Sequence, residues 1–288
     1  MKNIIKVLTL TMALVAIGSF LIGAIIVKIV IVPGKRDIGV YSGEQIKAMS
    51  TDGIVLVAYK KAPAVLNHKW VILIHSYRSN HTFMNPYAER YLEEGYIVIQ
   101  PDNRAHGESE GKYIGMGYLD QKDIQCWIRY IVEQDPEAEI VLHGVSMGAS
   151  ALMMLSDNAN LPDNIVAVIE DCGYTSAKDY LSWKLKHKLH ISAFPFIPIA
   201  NLAFRITAGY YLYSASAINS VKKSKLPILF IHGKDDETVP VEDAYRLYRV
   251  ANCRKGLMIV DNAGHGEALM VAKEKYWTEV FRFIGEQR

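Results

Sequence analysis

Six short runs with unbroken apolar stretches recur along the chain: "WVILIH" (70–75), "YIVIQPD" (96–102), "EIVLHG" (139–144), "IVAVIED" (165–171), "PILFIHG" (227–233) and "GLMIV" (256–260). A strand with one wet face alternates apolar and polar residues, whereas a strand covered on both faces reads as a continuous apolar run. Helical patterns at 83–94, 118–134, 147–156, 241–251 and 269–285 fall between or after these runs. Strands alternating with helices predict an α/β fold with a mainly parallel central sheet and helices on both faces. Ahead of them, "IKAMSTDGIVLVAYK" (46–60) places two strand-like runs around the turn signal Thr51-Asp52-Gly53. That is a hairpin, and it predicts an antiparallel edge.

Two stretches fall outside this alternation. Between the run ending at 171 and the run starting at 227 lies an insertion too long for a plain crossover. Its core, 174–224, is expected to be a helical cap or lid. The other stretch is "VLTLTMALVAIGSFLIGAIIV" (7–27), which carries no charge. As a helix its 21 residues would span about 32 Å, enough for a bilayer core. The rival reading is a cleaved signal peptide ending near Ala16-Ile17-Gly18, but apolar residues continue well past that point. The expected division is therefore 1–36 as membrane anchor and linker and 37–288 as the catalytic-type domain. The chain would then be a single-pass cell-membrane protein. Lys2 and Lys6 precede the span and Lys28, Lys35 and Arg36 follow it, so the basic flanks are nearly balanced. The expectation is a domain on the extracytoplasmic side.

A net charge of +2 and the lack of a basic, aromatic-interleaved cluster argue against a nucleic-acid partner. No phosphate-cradling GxxxxGK[ST] loop or GxGxxG is present. Cys126, Cys172 and Cys253 have no metal-type spacing and read as small buried hydrophobes.

"IVLHGVSMGASAL" (140–152) places Ser146 between Gly144 and Gly148 where a strand turns into a helix. GxSxG in this context is a nucleophile elbow, which pushes the serine hydroxyl out at the top of the sheet. A serine hydroxyl needs a base, and the base needs an orienting carboxylate. On such a sheet these follow in the order serine, acid, histidine. "PILFIHGKDDETVP" puts Asp235 and Asp236 just after one later strand, and "GLMIVDNAGHGEAL" puts His265 after the next. Asp171, at the end of an earlier strand, is the reserve acid. His75, His143 and His232 also end strands, but none lies in the loop where the base belongs.

With "LIHSY" (73–77), "PDNRAHGES" (101–109), "HGVSMG" (143–148), "HGKDDETVP" (232–240) and "AGHG" (263–266), the sequence from about residue 44 onward resembles the α/β hydrolases. More narrowly it resembles bacterial membrane-anchored members with a cap between the sixth and seventh strands. The resemblance implies Asp236 as the acid, leaving Asp235 as a solvated loop residue or a helix cap. It implies an oxyanion hole made by the backbone N–H groups of Met147 and Tyr77. Ser76 stands where the family's motif has glycine, and Ala105 departs likewise from DxRGHGxS. The activity implied is a serine hydrolase of carboxylesterase type, with no cofactor and no metal, acting on a small-molecule or lipid-like acyl substrate. A peptidase, a thioesterase or an acyltransferase would use the same machinery, and a non-catalytic interaction protein could share the scaffold.

The insertion's Trp183, Phe194, Phe196, Phe204, Tyr210, Tyr211 and Tyr213 either line an acyl pocket or pack the cap onto the core. Lys184, Lys186 and Lys188 with Leu181, Leu185 and Leu189 suggest a helix that rests on anionic lipid or a plain solvated face. Arg78 and His81 read as solvated loop residues or, alternatively, as part of the entrance.

Overall fold

In a computed structural model, residues 2–33, 43–65 and 67–287 are described. Residues 34–42, which include the end of the expected anchor-and-linker segment 1–36, lie outside them. Eight strands form one sheet: β1 (Glu44–Met49), β2 (Val55–Lys61), β3 (Lys69–Ile74), β4 (Ile97–Pro101), β5 (Glu139–Val145), β6 (Ile165–Asp171), β7 (Ile228–Gly233) and β8 (Lys255–Val260). Their order is β1-β2-β4-β3-β5-β6-β7-β8. β1 and β2 pair antiparallel, as does β2 with β4, and every pair from β4 through β8 is parallel. The apolar runs of β3 to β7 are almost wholly buried, as in Val71 to Ile74, all fully inaccessible, whereas β8, at the sheet edge, is largely half-buried.

On one face lie α3 (Asp120–Gln134), α4 (Met147–Leu155) and α8 (Glu242–Val250), with Trp127, Leu152 and Leu247 reaching the core. On the other lie α2 (Asn85–Glu93) and the C-terminal α9 (Ala268–Ala272) and α10 (Glu274–Gly285), which bring Tyr91, Tyr276 and Trp277. The single helix expected over 269–285 is two. Lys273, at φ 49 and ψ −122, leaves helical geometry and breaks it.

Between β6 and β7 run α5 (Ala177–Lys188), α6 (Phe196–Ala208) and α7 (Ala217–Val221). The N-terminal helix α1 (Lys2–Val30) is the one helix among the described residues long and apolar enough to cross a membrane. Its outer faces are exposed apolar side chains such as Leu14, Ile17, Leu21 and Ile25. Gly23, Val27 and Ile31, spaced by four, form the buried stripe. A Cβ on Gly23 would lie 2.9 Å from Ala203 Cβ on α6, so glycine permits the close helix approach.

Candidate active site

β5 ends at Val145 and α4 starts at Met147, with Ser146 between them at φ 56 and ψ −112. A non-glycine residue there is strained, and its surroundings must hold it. The Ser146 N–H donates to the Asp171 carbonyl at 2.8 Å, and the Ser150 N–H donates to the Ser146 carbonyl at 2.9 Å. The two flanking glycines answer to close approach. A Cβ on Gly144 would sit 2.6 Å from the Gly148 carbonyl carbon, and one on Gly148 2.3 Å from the Ile74 carbonyl oxygen. The elbow is thus wedged against the end of β3.

Three of the residues picked from sequence meet at this point. The Ser146 hydroxyl lies 2.8 Å from His265 Nε2, and His265 Nδ1 lies 2.7 Å from Asp236 Oδ2. With the Nδ1–H tautomer, the ring donates to the carboxylate and accepts from the serine. Asp236 sits in the turn after β7. Its Oδ1 accepts from the Thr238 N–H at 2.7 Å and the Val239 N–H at 2.9 Å. Burial pushes its carboxyl up, but hydrogen bonds from His232 and His265 outweigh burial and hold it well below the usual carboxylate range. A permanent anion therefore faces His265. Asp235 is exposed.

Asp171, the reserve acid, is engaged elsewhere. Its Oδ2 accepts from the Tyr276 hydroxyl at 3.0 Å, and burial pushes its carboxyl up to about 6. The other strand-end histidines are structural. His75 Nδ1 donates to the Ser76 carbonyl, and its Nε2 accepts from the Asn103 N–H. Burial lowers it to about 3, so it is neutral. His143 lies between the hydroxyls of Tyr91 and Tyr276. His232 stands behind the acid, with Nε2 3.0 Å from the Val239 carbonyl and 3.3 Å from Asp236 Oδ2.

Met147 opens α4, so its N–H has no intrahelical acceptor. Tyr77 lies in the loop after β3, three residues beyond Ile74. Ser76 is not among the residues with left-handed φ; Arg78, at φ 54, makes that bend instead. The 101–109 segment props this loop. The Arg78 N–H donates to His106 Nε2 at 3.0 Å, and Asn103 Nδ2 donates to the His75 carbonyl at 3.0 Å. Ala105 takes the left-handed conformation, φ 61, that glycine adopts more cheaply. His81 is buried against Asp102 at 2.9 Å and does not line the entrance.

Cys172, Asp236 and His265 place possible ligand atoms within 4.8 Å of one another. They suit a metal poorly. Asp236 and His265 already bond each other, and burial pushes the Cys172 thiol well above its usual range, whereas a metal takes the thiolate. The three cysteines are free.

Against the loop that carries Tyr77 and Arg78 lies a cavity of about 410 Å³. Tyr77, Arg78 and Met116 form one wall, and Tyr180, Leu181, Lys184, Leu185, Leu189 and Ile197 of the insertion form another. Ile26, Ile29 and Val30 of α1 close it. None of the seven aromatics singled out in the insertion lines it. Phe204 and Tyr210 are buried in packing, while Phe194, Tyr211 and Tyr213 are exposed. Leu181 and Leu185 of α5 face the cavity, as does the exposed Leu189 just after it. The α1 residues and the Tyr77 side chain were not found from sequence. The spacing of Gly23, Val27 and Ile31 was the available signal.

Comparison with known proteins agrees with this architecture. A family model described as serine aminopeptidase, S33, matches residues 67–191. The uncharacterized protein YqkD of Bacillus subtilis is 27% identical over 215 residues, covering 74% of this chain and 70% of that one. An esterase of Pyrococcus furiosus superposes with a TM-score of 0.72 at 22% identity, over 89% of this chain and 98% of that one. An esterase of Exiguobacterium antarcticum does so with a TM-score of 0.61 at 16% identity, over 84% and 100%. The fold is that of the α/β hydrolases.

Proposed function

From the α/β-hydrolase fold of this chain, we propose that it is a serine hydrolase that cleaves a carboxylic ester or related acyl bond. One observation carries the reading: the unbroken hydrogen-bond chain from Ser146 through His265 to Asp236, with the serine on a strained elbow. Ser146 attacks the carbonyl while its proton passes to His265 Nε2. The anion of Asp236 orients the ring and stabilises its charged form. The Met147 and Tyr77 N–H groups hold the developing oxyanion. Collapse of the tetrahedral intermediate expels the alcohol, which takes the proton from His265. Water then attacks the acyl-enzyme, giving up a proton to His265, and release of the acid restores Ser146.

Residues 1–36 act as anchor and linker, and 37–288 as the hydrolase domain, with 174–224 as its cap. The exposed apolar surface of α1 supports a single pass through the cell membrane. The domain is assigned to the extracytoplasmic side, which protease access in intact cells tests. A peptidase on the same triad is the second reading, prompted by the family model. An aminopeptidase must hold a substrate ammonium, yet the charged residues lining the cavity are Arg78 and Lys184, both cationic. That favours the ester.

The test is labelling of the full chain in nanodiscs with a fluorophosphonate, beside Ser146→Ala and His265→Ala. Labelling of the parent alone is expected. A folded parent that stays unlabelled would remove the hydrolase reading.

A further inference from the structure

The cavity against the Tyr77 loop has an unusual wall. Ile26, Ile29 and Val30 belong to the last turns of the apolar N-terminal helix. That helix end is bolted to the loop that carries the proposed oxyanion donor. The Tyr77 hydroxyl donates to the Val30 carbonyl at 2.7 Å, and Arg78 Nη2 donates to the Ile29 carbonyl at 2.8 Å. These bonds satisfy carbonyls that a helix C-terminus leaves without partners. The Ile31 carbonyl accepts from the Ile114 N–H at 2.8 Å, and Ile31 is fully buried.

The exposed surface of the neighbouring insertion continues the same chemistry. α6 packs along α1 at Gly23, which lies two turns before Val30 and so inside the apolar span. α6 carries exposed Leu202 and Ile206, and the turn before it carries exposed Leu189, Ile191 and Phe194. A helix held beside the apolar span, with large apolar side chains outward, is immersed in whatever solvates the span. The lining of the cavity is apolar apart from Arg78 and Lys184, and exposed Lys28 lies in the last turn of α1. Cations at the end of an apolar span sit at the level of lipid phosphates.

We propose that α1 is part of the substrate site: its last turns complete an acyl-chain cavity that opens toward the bilayer, so the enzyme takes the acyl chain of a membrane lipid ester directly from the lipid around its own anchor. The inference rests on the hydrolase reading and names its substrate class. A volume of about 410 Å³ falls within the range of small-molecule sites, roughly 300–1,000 Å³. Tyr77 links the two parts of the proposed site: its N–H is the proposed oxyanion donor and its side chain stands in the cavity wall.

The test uses the full chain in phosphatidylcholine nanodiscs, with p-nitrophenyl palmitate and p-nitrophenyl acetate as substrates. Ile26→Trp and Val30→Trp fill the cavity from the anchor side. Ile17→Trp changes an exposed residue of the same helix far from it. The palmitate-to-acetate ratio of kcat/KM is expected to fall about tenfold or more in the first two, from loss of apolar transition-state contacts, and to stay at the parent value in Ile17→Trp. An unchanged ratio in both cavity variants overturns the proposal, as does an equal fall in Ile17→Trp. A second measurement does not need turnover. Ser146→Ala is photolysed with a palmitic acid bearing a terminal diazirine. Crosslinks in residues 26–30 and 181–189 are expected; crosslinks confined to other segments overturn the proposal. A parent that fails to label with fluorophosphonate but crosslinks at these segments would sink the hydrolase reading and leave the lipid cavity standing.

Discussion

The two sides of the site are built by different physics. On the side of Ser146, Asp236 and His265, residues at the ends of β5, β7 and β8 are fixed by hydrogen bonds and by backbone contact too close for a methyl group. On the side of α1, α5 and α6, the walls are side chains that pack by area, tied to the core loop chiefly by Tyr77 and Arg78. Directional bonds set positions to tenths of an ångström, as transition-state contacts require. Apolar walls tolerate change and set which chain fits. The comparison teaches that damage to the first side should strike rate for every substrate, and damage to the second should strike choice among substrates.

The largest expected effect lies on the first side. Asp236→Asn keeps the shape but removes the anion facing His265, and kcat should fall roughly a thousand- to ten-thousand-fold on all esters alike. A loss confined to long acyl chains would erase the distinction between the two sides. Asp171→Asn should be far milder, because Asp171 bonds Tyr276 and not His265. Next comes Gly148→Ala. Its methyl would meet the Ile74 carbonyl oxygen at 2.3 Å, and the elbow cannot move without moving β3. A destabilisation of about 3 kcal/mol, read from urea midpoints, is expected. A midpoint equal to the parent's would show that the elbow gives way, contrary to the rigid picture.

The first side was legible in sequence because its constraints are local. A strand covered on both faces must be apolar at each position, as Val71 to Ile74 are, and a serine forced into the elbow needs Gly144 and Gly148. Acid and base then follow from their places after later strands. The second side was not legible in the same way. An apolar residue in α1 reads alike whether it stays exposed, as Ile17 does, or packs on the domain, as Val27 does. Large aromatics drew attention in the insertion, yet aliphatic Leu181, Leu185 and Ile197 line the cavity. Which side chain turns inward is settled by how α5, α6 and α1 stack, a long-range property. The break at Lys273 escaped for a related reason, since the periodicity of 269–285 continues through it.

A smaller effect probes what lies behind the acid. Burial pushes Glu170 up to about 8 from an ordinary value of 4.5. Between those values the folded chain keeps a proton that the unfolded chain releases, so stability falls as pH rises through that window. Burial lowers His232, but Asp236 and Glu170 overcome this and raise it above its ordinary 6.5. Its contribution is complete below 6.5 and is lost as pH rises through the folded value, which has the same sign. Urea midpoints should therefore decline from about pH 7 to 8.5, above the range in which the buried neutral His75 and His143 contribute with the opposite sign. Glu170→Gln should flatten the decline. Parallel curves for parent and variant would mean that the strand-end carboxyl is not the proton store.

The smallest effect tests the seam between the two sides. Tyr77→Phe leaves the Tyr77 N–H in place and deletes only the hydroxyl that donates to the Val30 carbonyl. One neutral hydrogen bond contributes about 1 kcal/mol, so amides in the last turn of α1 should exchange about fivefold faster. Arg78→Ala removes the neighbouring bond to Ile29, and the double variant should loosen the turn by less than the sum of the single changes, because each bond holds the helix end that the other needs and losing one already weakens the other. The palmitate-to-acetate ratio should fall in the same order, single variants before the double. Faster exchange with an unaltered ratio would mean that the anchor can drift without changing the cavity, and the two sides would then be joined in structure but not in selectivity.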